Sequence, residues 1–156
     1  MQPVITLSEI NIVSSASLAE LLMFDDILSQ QLGNKYHEEP ITPDNFFNDL
    51  KVWQTKTNSN SYVITLGDRH IGLISLSHQS DQSAKIGYWL ASAQWHKGYA
   101  SRAFALMLSL AMKRGFTTVS ATIDPKNIAS IKIWSKAGSN FENIDGQLIA
   151  RLRLVD

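Results

Sequence analysis

Residues 94–101 read Gln94-Trp95-His96-Lys97-Gly98-Tyr99-Ala100-Ser101, a polar turn set between an apolar run and a helical pattern. The chemistry such a turn offers is anion binding. The first turn of a helix has unpaired N–H groups, and its macrodipole end is positive. Gly98 lets a bulky anion approach the backbone, Ala100 keeps the next position small, and Lys97 and His96 add charge at the rim. A second polar helix start, Asn127-Ile128-Ala129-Ser130, follows a second apolar run. Alone it calls for no more than capping, because Asn and Ser are what helix starts prefer. Two polar helix starts on adjacent strands can, however, face one ligand lying between those strands.

The elements that must position these residues can be read in order. Before the turn, Ile86-Gly87-Tyr88-Trp89-Leu90 is short, apolar and aromatic, as a buried strand is. After it, Ala100, Ala103, Met107, Leu110 and Ala111 recur at helical spacing until Gly115. Residues 117–123 alternate β-branched positions as a strand, and residues 128–137 form a short helix ended by Gly138. Upstream, residues 4–13 predict a first strand. Ser17 and Glu20 form a capping box for one helix carrying Leu18, Leu21, Leu22, Leu28 and Leu32, ended at Gly33. Thr42-Pro43 starts a second helix with Phe46, Leu50 and Trp53 as its buried stripe. Residues 61–66 and 71–76 read as a hairpin, and residues 147–155 as a closing strand. The order predicts a single α/β domain over residues 1–156: a mixed, mostly antiparallel twisted sheet flanked by helices. Its one parallel pair is residues 86–90 with 117–123, the pair separated by a crossover helix.

Composition bounds the function classes. At 156 residues the chain is long enough for one real core, and an apolar share of 44% is ordinary for a globular protein. Lys plus Arg and Asp plus Glu are both 14, so no global charge draws it to nucleic acid or an anionic membrane. The absence of cysteine excludes disulfides, thiolate metal sites and a cysteine nucleophile, and no metal is expected. The longest apolar tract, residues 103–112, is too short to span a bilayer. The opening Met1-Gln2-Pro3-Val4 has no basic stretch followed by an apolar core, so a cytoplasmic location is the expectation. Composition leaves monomer and homodimer both open.

Taken together, Ile86-Gly87-Tyr88-Trp89-Leu90, then Trp95-His96-Lys97-Gly98-Tyr99-Ala100, then Asn127-Ile128-Ala129-Ser130, then Lys136-Ala137-Gly138 resemble the GNAT N-acetyltransferase superfamily. Within it, the wording is similar to the branch of ribosomal-protein N-terminal acetyltransferases. The resemblance is specific over residues 86–138. It implies acetyl-coenzyme A as donor and a primary amine, a small molecule or a protein N-terminus, as acceptor. It implies that the backbone of Trp95, His96, Lys97, Gly98, Tyr99, Ala100 and Ser101 holds the pyrophosphate. Trp89 and Leu90 would pair with the pantetheine arm, and Asn127 and Ser130 would touch the same arm from the other side. Gly87 within a buried strand is where a bulge that splays the two strands is expected.

The reaction asks little of side chains. An α-amino group, with a pKa of about 8, sheds its proton more readily than lysine at about 10. A backbone N–H near Leu90 can serve the oxyanion, and the thiolate of a thiol with pKa of about 8.5 takes up a proton. Without cysteine, direct transfer in a ternary complex is favoured. The chain also departs from the family pattern. Lys85 stands where many members carry a glutamate base, Trp134 where many carry a tyrosine acid, and Ser139 follows Gly138 in place of phenylalanine. Glu142 aligns with a glutamate common in the resembled branch and is the remaining candidate base, beside the plainer account of a solvated turn acid. These departures keep a rival class open, an acyl-coenzyme A-binding sensor or partner module without catalysis. A nucleotide-binding protein is disfavoured, because the turn lacks P-loop spacing.

Other candidates have simpler accounts. Trp53 reads as core and Trp89 as packing on the central helix; Trp134 can line the acceptor end of the cleft or fill the space between helix and sheet, and packing is favoured. His70 and His78 read as surface residues near a cleft. Glu38 and Glu39, in the polar loop over residues 35–41, can steer a cationic amine or simply be solvated.

Overall fold

The computed structural model describes residues 3–33 and 41–154. In chain order these form β1 (Ile5–Glu9), α1 (Ile12–Phe24), α2 (Asp26–Gln31), α3 (Pro43–Thr57), β2 (Ser59–Leu66), β3 (Arg69–Ser80) and β4 (Ser83–Leu90). After the single turn Ser92–Gln94 come α4 (Tyr99–Lys113), β5 (Thr118–Ile123), α5 (Ile128–Lys136), β6 (Asn140–Ile144) and β7 (Gln147–Arg153). One seven-stranded sheet has the order β1-β2-β3-β4-β5-β7-β6. Among the described strands only β4 and β5 run parallel, as their crossover through α4 requires. No described helix is long and apolar enough to cross a membrane.

Local chemistry sets the boundaries. The first helix starts earlier than the Ser17/Glu20 pattern predicts. Asn11 accepts from the Ser14 amide (2.9 Å) while Ser14 takes the Asn11 amide (3.0 Å), so two orphan donors are satisfied reciprocally. The strand therefore ends at Glu9, and Ile12 and Val13 belong to the helix. The predicted single helix is also two. Asp25 ends α1 in extended conformation and caps α2 by accepting from the Leu28 amide (3.1 Å). Helix α3 matches its signals, with Thr42 capping, Pro43 in the first turn and Asn58 left-handed at the end.

Alternation along the central strands, broken by an irregularity at Ile64/Thr65, divides the apolar residues between two cores. Ile64, Ile74, Leu76 and Ile86 face α4 and α5, where Phe104, Met107 and Trp134 meet them. Val63 and Leu73 face the opposite way, under Leu18, Leu22, Phe46 and Leu50 of α1 and α3. Full burial of each such side chain stabilises by about 1.5–3 kcal/mol. Two tryptophans differ from expectation. Trp53 is 39% exposed, because the core contact of α3 ends at Leu50. Trp89 packs on the α1/α3 core rather than on the central helix, because Ile86, Tyr88 and Leu90 occupy the α4 side of the same strand. Trp134 is fully buried, its ring 4.8 Å from that of Phe104.

Candidate active site

Strands β4 and β5 pair only over Ser83↔Thr118, Ala84↔Val119 and Lys85↔Ser120, and then part. Beyond that point β4 stays with β3 up to Leu90, and β5 stays with β7 up to Ile123. The bulge expected at Gly87 is absent, since β4 runs in register with β3 from Ala84 to Leu90. Sheet twist, with each strand held by its outer partner, is enough to open the gap.

The backbone facing this gap follows from ladder alternation. Ala91 donates to the Ile71 carbonyl (2.8 Å), so Trp89 also spends its backbone on β3. Tyr88 and Leu90 therefore point their N–H and C=O groups into the gap. The Leu90 carbonyl there accepts the Trp95 indole N–H (3.0 Å), which fixes the ring at the strand's end. Of the two residues expected to offer backbone to a ligand, Leu90 faces the gap and Trp89 does not; Tyr88 faces it instead.

Across the mouth of the gap lies the N-terminus of α4. Its N-cap is Gly98 at φ 80°, and no side chain caps the first turn. His96 is also left-handed, at φ 64°. Two left-handed residues flanking Lys97 coil the backbone so that successive amides converge, a geometry suited to an anion. A Cβ built on Gly98 meets no atom within 4 Å, so this position opens on free space.

The gap and the turn form one cleft of about 970 Å³. Of the predicted site residues, Trp89, Leu90 and Trp95 line it from the strand side. His96, Gly98, Tyr99, Ala100 and Ser101 line it from the turn, and Asn127 and Ser130 from α5. Lys97 is exposed and does not line it. Asn127 caps α5 by accepting from the Ser130 amide (3.2 Å). Ser130 is buried, and its hydroxyl lies 2.8 Å from the Tyr88 hydroxyl, so the two bridge the gap from β4 to α5. Burial pushes the Tyr88 phenol above its ordinary value of 10.0, and the hydrogen bond with Ser130 offsets part of that rise.

Glu142 is not brought to this cleft. It sits on β6, beyond β5 and β7, 58% exposed and paired with Arg151 at 2.7 Å. Its alignment in sequence says nothing of the two strands that separate it from the gap. His70 bonds Ser17 (2.9 Å) and His78 lies beside Asn58 and the Phe116 ring, both outside the cleft. Glu38 and Glu39 lie outside the described residues. Among the described residues no cluster of histidine or carboxylate is placed to hold a metal.

Comparison with known proteins decides what this arrangement is. The family model described as "Acetyltransferase (GNAT) domain" matches residues 14–140. The chain belongs to the GNAT acetyltransferase family. Solved structures agree in fold with this GNAT domain over nearly its whole length. RimL, a ribosomal alpha-N-protein acetyltransferase in complex with coenzyme A, matches at TM-score 0.77 and 14% identity, over 96% of this chain and 93% of that one. Mycobacterium smegmatis RimJ in complex with CoA-disulfide matches at 0.74 and 19%, over 98% and 90%. The putative acetyltransferase yncA of Salmonella typhimurium, solved with acetyl-CoA, matches at 0.74 and 14%, over 97% and 95%. No curated protein sequence matches.

The GNAT domain's cleft also contains residues that sequence reading passed over. Lys126, Lys132 and Lys136 line it with exposed side chains and supply the positive charge expected from Lys97. The i, i+4 spacing of Lys132 and Lys136 on α5 was a usable signal. Tyr88 was visible only as part of a motif. Strand alternation, which puts it on the α5 side with Ile86 and Leu90, was the cue to its role.

Proposed function

We propose that this GNAT domain transfers the acetyl group of acetyl-CoA to a primary amine, a peptide N-terminus or a small amine, by direct transfer in a ternary complex. The observation that carries the reading is the β4–β5 gap opening beneath the uncapped first turn of α4. The residues present fit the donor. The turn amides and the left-handed His96 and Gly98 suit a pyrophosphate, and the side-chain-free face of Gly98 leaves it room. The gap-facing groups of Tyr88 and Leu90 suit an amide-rich arm, and the lysines of α5 suit further phosphate charge. Acetyl-CoA brings an activated thioester carbonyl.

The chain then orients and polarises. The Leu90 N–H, aimed into the gap, is a fixed donor for a developing oxyanion. Trp95 is held at the strand's end by its bond to the Leu90 carbonyl. With no cysteine in the chain, no acyl-cysteine intermediate forms. Glu142 is too far displaced to support a role as base, so the reading favours an acceptor that arrives neutral. An α-amino group, at about pKa 8, is better suited than a lysine at about 10.

A thiol-release assay with acetyl-CoA against pooled primary amines and short N-terminal peptides, beside calorimetry with coenzyme A, tests this reading. Micromolar binding with turnover on at least one pool is expected. Tight binding without turnover on any pool would favour the acyl-CoA-binding module. That rival draws on Lys85 and Trp134 standing where the resembled family has its base and acid.

A further inference from the structure

Acyl transfer from a thioester must deliver a proton to sulfur. As the amine nitrogen bonds to the carbonyl carbon, the nitrogen gives up one proton, and as the C–S bond breaks the sulfur takes one. The groups lining the cleft differ in where they could act. His96, Tyr99 and Ser101 belong to the turn at the mouth, where the phosphates fit, and Lys126, Lys132 and Lys136 are exposed. Asp124, just past the end of β5, also lines the cleft, but it is exposed and its carboxylate accepts the Lys126 amide (2.9 Å). Among the lining residues carried on β4 or β5 themselves, Tyr88 is the titratable one, three residues past the last β4–β5 pair at Lys85.

Its hydroxyl reaches across to Ser130, which lies one turn before Trp134 on α5. Trp134 holds the position where the resembled family has its tyrosine, yet its ring is sealed against Phe104 and lines no part of the cleft. A phenol is thus present near that place, but it comes from the strand.

We propose that Tyr88 donates the proton taken up by the departing sulfur, with Ser130 as its hydrogen-bond partner; this rests on the acetyl-transfer reading above. The phenol proton moves to sulfur as the C–S bond breaks, and the proton released by the amine returns to the phenolate oxygen through the Ser130 hydroxyl. No oxidant or further reactant is needed. Burial keeps the phenol protonated at neutral pH, so the donor is loaded before each turnover.

The absence of cysteine allows a test that does not depend on turnover: with protein in excess, the thiol of bound coenzyme A is the only thiol in solution. Its pKa is read from the pH dependence of alkylation by iodoacetamide. If Tyr88 faces the sulfur, the bound thiol should titrate about one unit lower in the wild type than in Tyr88→Phe, a tenfold difference in thiolate fraction. Tyr88→Phe should keep coenzyme A affinity within about twofold and its melting point, since only a hydroxyl is lost. It should lower kcat at least tenfold with KM for acetyl-CoA unchanged. Ser130→Ala should lower kcat less. A fluorinated tyrosine at position 88, with its more acidic phenol, should bring a falling basic limb of kcat into the working pH range, which a merely structural hydroxyl would not do. Identical thiol titration in wild type and Tyr88→Phe, or kcat within twofold, would overturn the assignment while leaving acetyl transfer standing. A wild type that fails to bind coenzyme A, or binds it without turnover, would instead overturn the transfer reading and this assignment with it.

Discussion

Asp25 grips Ser92 with both carboxylate oxygens, accepting the Ser92 amide at one and the Ser92 hydroxyl at the other, each at 2.7 Å. The same carboxylate caps α2 through the Leu28 amide. One side chain thus ties the α1–α2 junction to the turn that leads from β4 toward the start of α4. Burial works to raise the Asp25 pKa, but the bonds from the Ser92 hydroxyl and amide and the Leu28 and Ile27 amides outweigh it, and the net shift is downward. A lowered folded-state pKa contributes stability above the unfolded value of about 3.8, and that stability is lost as pH falls through the folded pKa.

Asp25→Asn should therefore cost about 1 kcal/mol at pH 7, the size of a lost cap with the ionic part discounted for exposure. The deficit should shrink at pH values below the folded pKa, where the wild-type carboxyl is itself neutral. Urea midpoints measured from pH 7 down through the acid range check this. A deficit that stays constant across the series would mean that charge has no part in the tie.

Gly98 is the backbone test of the proposed cofactor site. A β-carbon at Gly98 meets no atom within 4 Å and the residue lines the cleft, so on the acetyl-CoA reading a Gly98→Val side chain occupies space proposed for the pyrophosphate. Coenzyme A affinity should fall at least tenfold, about 1.4 kcal/mol. The left-handed φ of 80° adds a folding cost of about 1–2 kcal/mol for any β-carbon. Gly98→Ala shares much of that strain with a smaller obstruction, and should lose stability similarly but affinity less. Calorimetry with a melting curve separates the two costs. Wild-type affinity in a folded Gly98→Val protein would mean the phosphates lie elsewhere.

The parts of this molecule that sequence revealed are those where one local signal controls the outcome. The hairpin, the crossover from β4 through α4 to β5, and the polar starts of α4 and α5 each follow from residues adjacent in the chain. What sequence hid depends on partners distant in it. The α1 boundary turned on a choice between two capping patterns, and reciprocal bonds at Asn11 and Ser14 decided it. Which face Trp89 occupies needed the register of β4 against β3, and the fate of Glu142 needed the order in which β5, β7 and β6 pair. Gly87 suggested a bulge, yet the strands part without one, because each has a firm outer neighbour.

Two of the cleft's lysines lie on α5, and their charge is testable separately from the turn. Lys132→Ala with Lys136→Ala should weaken coenzyme A binding about three- to tenfold at low salt, or ~0.7–1.4 kcal/mol. Because both lysines are exposed, the effect should fade toward 1 M salt as the screening length drops to about 3 Å. Lys97→Ala, outside the cleft, should change affinity less under every condition. Isothermal titration across a salt series decides it. A Lys97→Ala loss larger than that of the lysine pair would move the phosphates to the outer side of the turn.

Trp134 separates packing from chemistry. It is fully buried, its ring lies tilted 59° against Phe104, and its indole N–H has no hydrogen-bond partner among the described residues. An unsatisfied buried donor costs about 1–3 kcal/mol, while removing the whole ring costs about 3–5 kcal/mol through lost burial and the cavity left behind. Trp134→Phe discards the orphan donor but leaves some empty volume, and these effects oppose each other. It should therefore destabilise by about 2 kcal/mol or less, far less than Trp134→Ala, and both kcat and KM for acetyl-CoA should stay at wild-type values. Urea unfolding of both variants, with thiol release on the active amine, measures the two halves of the claim. A well-folded Trp134→Phe protein without turnover would show that the indole faces the reacting groups, and the division of labour between Tyr88 and Trp134 drawn from the cleft would fail.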